Sequence, residues 1–363
     1  MNELGFYTLA GAPETPRELI DEVAHAEQLG IGAAFISERF NIKEAATLSG
    51  AVGAVSSTIG IATAATNHNT RHPMVTASYA MTMHALTGGR FSLGLGRGIK
   101  RRDRAYGLAP ITTAQMEDFV GLMRRVWAGE TVVGHDGPAG SFRALGMSGL
   151  DPVHIPMTLT AFGPNSLALG GRCFDAVVLH TFFTDETTAR VVRTVKDAAE
   201  QAGRDPAEVR VWSCFATIGD HLSEPLQLKK TVGRMATYLQ AYGDLMVRTN
   251  DWDPAVLECF RADSMVATFR GAIDQIATTD QLEHISTLIP DEWLAPAATG
   301  TPEQCVHAVR GQFDLGCDGV ILHGASPTDL EPIVAEYRRT RPAGIFDHVP
   351  ANPGGVGLVE SVS

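Results

Sequence analysis

Short apolar runs typical of β-strands alternate with helical patterns along most of the sequence, and this alternation limits the fold more than any other feature. Each run is followed by a segment whose apolar residues recur at the spacing of an amphipathic helix. The eight apolar runs span residues 4–9, 33–37, 58–64, 90–96, 155–161, 174–180, 209–219 and 317–324. Eight units of strand and helix predict an α/β chain with the fold of a (β/α)8 TIM barrel.

The chain has 363 residues, which is enough for one such barrel with insertions. A mainly helical block at about 226–294 follows the seventh strand, and we predict that it is an insertion in a single domain covering 1–345. The turn-rich stretch 135–149 is interpreted as a loop. The final stretch, 346–363, lacks a core pattern, so we expect an extended arm over a neighbouring molecule or a disordered tail.

The glycines that end the fourth strand test the competing fold, a doubly wound Rossmann sheet. Gly94, Gly96 and Gly98 give G-x-G-x-G, followed by Ile99 and a basic segment. A Rossmann fingerprint needs G-x-G-x-x-G at the start of a helix, and this sequence lacks it. The pattern instead favours a barrel strand whose carboxyl end lets a flat ligand approach the backbone.

A basic segment follows these glycines on a chain whose formal net charge is −12. The overall acidity argues against nucleic-acid binding, because neutralising phosphates needs an excess of Lys and Arg. We interpret the segment as an anion-attracting rim, although a solvated charged face is an equally simple reading. Its cations surround a single Asp103 and are Arg97, Lys100, Arg101, Arg102 and Arg104.

Composition also bears on location. No apolar run reaches the roughly 20 residues that cross a bilayer, so no membrane partner is expected. The first residues show no basic segment followed by an apolar one, which argues against a signal peptide. Five scattered cysteines without metal-ligand spacing fit reduced thiols in the cytoplasm.

Polar residues cluster at the predicted strand ends, where TIM barrels carry their active sites. The second strand is followed by Glu38 and Arg39, and the third provides Thr63 and His68. Arg97 follows the fourth strand, His180 and Thr181 lie at the end of the sixth, and His323 lies at the end of the eighth. Glu38 and Arg39 are also compatible with a structural ion pair. The sequence offers no zincin spacing, no other metal set, no G-x-S-x-G elbow and no P-loop. A bound cofactor that supplies the chemistry is therefore favoured.

The block "NTRHPMVTASYAMTMHALTGGRFSLGLGRG" is similar to the third-strand, helix and fourth-strand region of the bacterial-luciferase-like family. The similarity continues in "FISERF", "IPMTLTAFGPNSLALGGRCFDAVVL", "GRDPAEVRV" and "ATGTPEQCVHAVRGQFDLGCDGVIL". Within that family the chain most resembles the F420-dependent oxidoreductases of actinobacteria. The resemblance implies a TIM barrel that binds FMN or the deazaflavin coenzyme F420, and a homodimer.

The resemblance also implies cofactor contacts at particular positions. A non-proline cis peptide behind the cofactor ring is expected at Thr63–Ala64, to within one residue. Such a bond costs roughly 3–4 kcal/mol and persists only where its surroundings enforce it. Cofactor contacts are expected from the ends of the third to sixth strands and from the basic segment, namely Thr63, Ala64, Gly96, Arg97, Gly98, Arg101, Ala161, Phe162, Gly163 and Thr181.

The chain departs from the family at two positions. Several members carry an acidic residue and a His at the end of the second strand, where this chain has Glu38 and Arg39. Arg cannot act as a base, but it can stabilise a reduced deazaflavin. Some sugar-phosphate-oxidising relatives have a Glu after the fourth-strand glycines, where this chain has Ile99. Neither the luciferase mechanism nor the sugar-phosphate mechanism therefore transfers intact.

The leading hypothesis is an enzyme that uses F420 to exchange hydride with a small organic substrate. Glu38 and Arg39 would orient and tune the ring, and His68 and His180 would be the nearest proton carriers. One alternative is an FMN-dependent two-component monooxygenase. Others are a non-catalytic flavin- or deazaflavin-binding protein and a barrel lyase or hydrolase without a redox cofactor.

Overall fold

The computed structural model describes residues 1–11, 13–40, 42–147, 149 and 151–355, apart from the side chains of Lys100 and Arg101. Its strands are β1 (Leu4–Tyr7), β2 (Ala33–Ile36), β3 (Gly60–Thr63), β4 (Phe91–Leu95), β5 (Val132–Gly137), β6 (Gly140–Leu145), β7 (Met157–Thr160), β8 (Ala176–Val178), β9 (Arg210–Gly219), β10 (Ala298–Gly300) and β11 (Gly319–His323).

Eight parallel strands close into a barrel. They pair in the order β9, β11, β1, β2, β3, β4, β7 and β8, and β8 pairs back onto β9 to complete the ring. These eight strands are the eight apolar runs of the sequence, so the predicted (β/α)8 TIM barrel is confirmed. Apolar side chains fill the barrel interior, among them Phe35, Trp212 and Ile321.

The helices cover the outside of the barrel and its carboxyl end. They are α1 (Glu18–Leu29), α2 (Ala45–Val55), α3 (Pro73–Leu86), α4 (Lys100–Ala105), α5 (Thr113–Trp127), α6 (Pro164–Cys173), α7 (Asp185–Gln201), α8 (Glu224–Leu228), α9 (Arg234–Asn250), α10 (Pro254–Ala262), α11 (Ile273–Ile276), α12 (Thr279–Ser286), α13 (Asp291–Leu294), α14 (Pro302–Asp314) and α15 (Pro327–Thr340). None of the helices in the described part of the chain is long and apolar enough to cross a lipid bilayer.

The segment between β9 and β10 is helical and has a core of its own. Helices α8 to α13 occupy residues 224–294, close to the predicted 226–294. Apolar side chains such as Met235, Leu239 and Phe260 are buried there, and Trp252 stacks on Trp293 with ring centroids 4.5 Å apart. A segment with its own buried side chains can hold a helix rigidly over the barrel.

Residues 132–145, which overlap most of the stretch 135–149, form a β-hairpin that the sequence pattern did not predict. Strands β5 and β6 pair antiparallel, with Val132 opposite Leu145 and Gly137 opposite Gly140. Their many Gly and polar residues give no alternation of apolar side chains, which is why the stretch reads as a loop. The hairpin docks on α5, where the Asp118 carboxylate accepts a hydrogen bond from the Ala139 N–H at 2.8 Å.

The chain beyond residue 345 also differs from expectation, because its described part, through Gly355, packs against the amino end of this same barrel. The Asn352 Nδ2 donates to the carbonyls of Gly89 and Phe91, at 2.6 and 2.9 Å. The Trp212 Nε1 donates to the Pro353 carbonyl at 2.8 Å. These contacts pair polar groups of Asn352 and Pro353 with the barrel of the same chain, whereas residues 356–363 of the predicted tail lie outside the described part.

Candidate active site

The inner face of α9 lies over the carboxyl end of the barrel. Arg234, Tyr238 and Tyr242 are spaced four residues apart, so they share one face of the helix. The Tyr238 Oη lies 2.8 Å from the Nε2 of His323, which ends β11. The His323 ring also makes an edge contact with Tyr7 at the end of β1, with centroids 5.3 Å apart. The helical insertion and the barrel therefore build one site together.

Phe162 and His180 form the opposite wall of this site. Their rings stack with centroids 4.1 Å apart, and the edge of Tyr238 contacts His180 at 4.8 Å. Tyr242 contacts both rings from one turn further along α9. The site, which we call the barrel mouth, is thus lined by Tyr7, Phe162, His180, Tyr238, Tyr242 and His323.

Burial controls the ionisation of the histidines at the barrel mouth. It lowers the pKa of His180 to about 4 and lowers the pKa of His323 well below its usual value. The Nδ1 of His180 lies 3.0 Å from the Thr181 carbonyl, which can accept only from a protonated nitrogen. His180 is therefore neutral at pH 7 and carries its proton on Nδ1, so its Nε2 is an acceptor.

Arg39 faces the same residues from the end of β2. Burial raises the pKa values of Tyr7, Tyr238 and Tyr242, whereas the Arg39 charge acts to lower them. Backbone hydrogen bonds between Arg39 and Lys43 hold its loop. The described residues supply no hydrogen bond or ion pair to the exposed Arg39 guanidinium, so its charge is available to a ligand.

Glu38, which the sequence predicts to be catalytic, has a carboxylate that is hydrogen-bonded within the protein. It pairs with Arg71, at 3.1 and 3.2 Å, and accepts from the Ala45 N–H at the start of α2. The Thr66 hydroxyl donates to the same carboxylate. The side chain is buried, and four donors occupy its oxygens, so Glu38 stabilises the loops around β2 and β3 instead of presenting an oxygen to a ligand.

The side chains of His68 and Thr63 also contact other residues of the protein. The His68 ring stacks on Phe119 of α5 at 4.9 Å, and burial together with Arg97 lowers the pKa of His68 to about 4. The Thr63 hydroxyl donates to the Gly94 carbonyl and accepts from the Gly94 N–H, at 2.8 and 2.7 Å. The Thr63 hydrogen bonds join β3 to β4, and the His68 contact packs its ring on α5.

The fourth-strand glycines make room for other parts of the chain, and their contact with a cofactor stays a prediction. A Cβ at Gly96 would lie 2.8 Å from Thr160 Oγ1 and 2.9 Å from Ala65 Cβ. Gly98 has φ +71°, and a Cβ there would lie 2.5 Å from Asp103 Oδ2. Both positions therefore need glycine because neighbouring atoms fill the space that a side chain would take.

The basic segment includes α4, and two of its arginine side chains contact other parts of the protein. Arg97 donates to Ser166, Ile111 and Thr113, at 3.0, 3.3 and 2.7 Å. Its guanidinium therefore holds these three parts of the chain together. Arg102 lies over the Phe40 ring, 5.1 Å from its centroid. The side chain of Arg101, which the sequence predicts to bind the cofactor, lies outside the described part of the chain.

The remaining predicted contacts lie where the third, fifth and sixth strands of the barrel end. The cis peptide joins Ala64 to Ala65, one residue after the predicted bond and within its margin. Ala161 and Thr181 are buried, and the Thr181 hydroxyl lies 3.2 Å from Cys214 Sγ. Gly163 begins α6, and a Cβ there would meet only Leu245, at 3.8 Å, so its backbone borders open space.

Several residues of the barrel mouth were missed in the sequence. Tyr238, Tyr242 and Arg234 lie in the insertion, where a spacing of four residues was the available signal. His323 was noted only as a strand-end residue, and Tyr7 gave no signal apart from ending the first strand. Among the described residues, no three His, Cys, Asp or Glu side chains are grouped to hold a metal ion.

The buried histidines predict that acid destabilises the protein before its carboxylates titrate. The pKa of His180 is about 4 in the folded protein, against about 6.5 in an unfolded chain. The unfolded state therefore binds more protons as the pH falls from 7 to 4, and stability is lost over that window. We expect a loss on the order of 1–2 kcal/mol from His180 alone by pH 5.

Urea unfolding at pH 7.5 and pH 5.0 measures this loss. His180→Gln should shrink the difference between the two pH values, while His307→Gln, at an exposed position of α14, should leave it unchanged. An equal pH dependence in wild type and His180→Gln would contradict the assignment.

Comparison with known proteins places this site in context. A family model described as luciferase-like monooxygenase matches residues 3–338. The 5,10-methylenetetrahydromethanopterin reductase of Methanolobus tindarius is 25% identical over 86% of this chain and 92% of its own. The phthiodiolone/phenolphthiodiolone dimycocerosates ketoreductase of Mycobacterium tuberculosis is 26% identical over 84% and 80%. The coenzyme F420-dependent tetrahydromethanopterin reductase of Methanopyrus kandleri superposes with a TM-score of 0.77 at 18% identity, covering 92% of this chain and 97% of its own.

Proposed function

The chain belongs to the luciferase-like monooxygenase family, and from this premise we propose that it is an F420-dependent oxidoreductase. In this proposal a hydride passes between C5 of the deazaflavin and an organic substrate at the barrel mouth. Two relatives named as reductases support reduction rather than oxygenation as the chemistry. The observation that carries the proposal is a barrel mouth with a charged, exposed Arg39 and aromatic walls.

The barrel mouth fits an anionic, planar cofactor in three respects. Gly163 borders open space at the start of α6, where the first N–H groups of a helix lack intrahelical acceptors and attract anions. Arg39 brings a positive charge that the described residues leave unpaired. The Nδ1 of His323 is buried and has no partner among the described residues, so it suits a ligand or a water.

Each of these residues has a role in holding the group. The backbone at Gly163 would bind a phosphate, and Arg39 and Arg102 would attract the acidic tail that distinguishes F420 from FMN. Phe162, Tyr7 and Tyr242 would exclude water from the reacting atoms. When bound, F420 supplies a hydride donor or acceptor, and Arg39 would stabilise negative charge on it.

Titration of the purified protein with F420 and with FMN at two salt concentrations tests this proposal. Because charge attraction is screened by salt, F420 affinity should fall as salt rises. Arg39→Gln with Arg102→Gln should weaken F420 binding about tenfold and change FMN binding little. Arg143→Gln, an exposed position on the β5–β6 hairpin, is the matched control. Equal binding of both cofactors by all variants would refute the preference for F420.

An FMN-dependent two-component monooxygenase is the second candidate, and the description of the family model favours it. The two activities differ in their use of oxygen, since a deazaflavin reacts poorly with O₂. Turnover that requires O₂ and reduced FMN would establish this alternative. Tight cofactor binding without turnover of any ketone, enone or alcohol would instead indicate a carrier protein.

We further propose that the protein is a homodimer that associates through α2 and α3. These two helices carry no Asp, Glu, Lys or Arg, and they expose Val55, Val75 and Leu86 to 40, 55 and 52%. Exposed apolar faces of this kind mark protein interfaces. Sedimentation equilibrium should give twice the chain mass, and Val75→Glu should give the chain mass, whereas Val133→Glu on the hairpin should remain dimeric.

A further inference from the structure

We propose that Tyr238, backed by His323, is the proton donor and acceptor for the oxygen of an uncharged ketone or secondary alcohol. This inference rests on the proposed function and adds its proton-transfer group and its substrate class. The pair joins the helical insertion to the barrel, since Tyr238 lies on α9 and His323 ends β11. Their polar atoms, Oη and Nε2, are 2.8 Å apart.

The surroundings of Tyr238 suit a proton donor. Burial raises the pKa of Tyr238, so the phenol is protonated at neutral pH, and the charges of Arg234 and Arg39 act in the opposite direction. The Arg234 guanidinium lies 5.9 Å from the Tyr238 ring centroid. A nearby cation of this kind would stabilise the tyrosinate that forms when the proton leaves.

His323 can return that proton. Burial keeps the imidazole neutral, so the ring carries one proton, on either Nδ1 or Nε2. Its Nε2 contacts Tyr238, and its Nδ1 has no partner among the described residues. A proton that enters at Nδ1 can therefore leave from Nε2 to the tyrosinate.

Other polar groups at the barrel mouth are less suitable. His180 carries its proton on Nδ1, where the Thr181 carbonyl accepts it, so its exposed nitrogen has no proton to give. Arg39 holds its proton at all relevant pH values. The Tyr7 and Tyr242 hydroxyls have no imidazole hydrogen-bonded to them among the described residues, so a route for reprotonation is evident only at Tyr238.

In the direction of reduction, the carbonyl carbon receives a hydride from the reduced deazaflavin, and the carbonyl π electrons move to oxygen. The Tyr238 O–H bond breaks, and its proton joins that oxygen to form the alcohol. His323 then passes its Nε2 proton to the tyrosinate as a proton from a water at the buried Nδ1 enters the ring, so the imidazole stays neutral. Alcohol oxidation follows the same steps in reverse, with the oxidised deazaflavin accepting the hydride.

The lining of the barrel mouth supports an uncharged substrate. The Tyr7 ring contacts His323, and Phe162 and Tyr242 contact each other in the same lining; such surfaces favour apolar groups over charged ones. The Tyr238 hydroxyl, which is hydrogen-bonded to His323, matches one carbonyl oxygen, since a polar group left unpaired there would be unfavourable.

Kinetics with acetophenone and cyclohexanone as probes test the role of Tyr238. Tyr238→Phe should lower kcat with reduced F420 by about 10²–10³-fold, which lies within the usual contribution of general acid–base catalysis, about 10²–10⁴-fold. F420 affinity should stay within about twofold, and the solvent isotope effect on kcat should shrink. Tyr79→Phe, whose hydroxyl bonds to Ser49 between α2 and α3, is the matched control. His323→Gln places a nitrogen near the lost Nε2 and should retain more activity than His323→Ala.

An experiment without cofactor tests the contact between Tyr238 and His323 directly. In ¹⁵N-histidine NMR spectra, Tyr238→Phe should shift one Nε2 resonance, and that resonance should be the one missing in His323→Gln. Failure of wild type to bind F420 would overturn the proposed function. F420 binding with no reduction of either ketone would overturn the substrate class. Full activity in Tyr238→Phe, or an unchanged histidine spectrum, would overturn the proton-transfer role alone.

Discussion

Gly94→Ala is expected to prevent the chain from reaching its native barrel. A Cβ at this position would lie 1.5 Å from the Thr63 carbonyl oxygen and 2.7 Å from its carbon. Both atoms belong to the backbone of β3, so no change of side-chain rotamer can relieve the overlap. The two strands would have to separate, which would also break the hydrogen bonds between Thr63 and Gly94. We expect a loss of more than about 4 kcal/mol in the free energy of unfolding.

The soluble yield and the cooperativity of thermal unfolding measure this effect. Gly121→Ala is the matched control, since Gly121 lies within α5 and a Cβ there meets nothing within 4 Å. The control should gain up to about 1 kcal/mol, because Ala is the better helix former. A folded Gly94→Ala protein with wild-type stability would show that β3 and β4 are not as close as described.

Arg234→Met is expected to destabilise the insertion by about 3–5 kcal/mol, the usual cost of removing one partner of a buried ion pair. The Arg234 Nη2 lies 2.9 Å from Asp274 Oδ2, and both residues are buried. Asp274 also accepts a hydrogen bond from the Thr237 hydroxyl at 2.8 Å. Without Arg234 the Asp274 carboxylate is left without a counter-ion, and the turn of α9 that carries Tyr238 loses an anchor.

Urea unfolding of single and double variants separates charge from packing. Arg234→Met with Asp274→Asn should recover most of the loss, because no charge is then buried alone. Arg261→Met, which removes the exposed pair with Asp244, is the control and should cost less than about 1 kcal/mol. Equal losses in the single and double variants would mean that Arg234 acts by packing alone.

The barrel was predictable because each strand is a short apolar run bounded by turn residues. Such a run can be recognised from a few neighbouring residues of the sequence. Trp212 and Phe35 follow from that pattern, since they lie within apolar strands. The β5–β6 hairpin was not predictable, because its stability depends on docking to Asp118, seventeen or more residues earlier. The contacts of Asn352 likewise depend on carbonyls more than 260 residues away.

The residues of the candidate site also divide into those that could be predicted from the sequence and those that could not. His180, Phe162 and Gly163 could be predicted because they follow barrel strands directly. The pairing of Glu38 with Arg71 could not be predicted, because Arg71 lies 33 residues further along the chain and no local pattern joins them. Tyr238 could not be chosen over other insertion residues, since the face that α9 turns toward the barrel depends on the buried pair of Arg234 and Asp274.

The docking of the tail on the amino end of the barrel has a consequence for synthesis of the protein. Asn2, just before β1, donates to the Val349 carbonyl, and the Glu3 carboxylate pairs with Arg341. On a translating ribosome these partners of the first strand do not yet exist. The amino end of the barrel therefore stays incomplete until residues 341–349 have emerged, so the first strand reaches its final packing only after all the other barrel strands have been made.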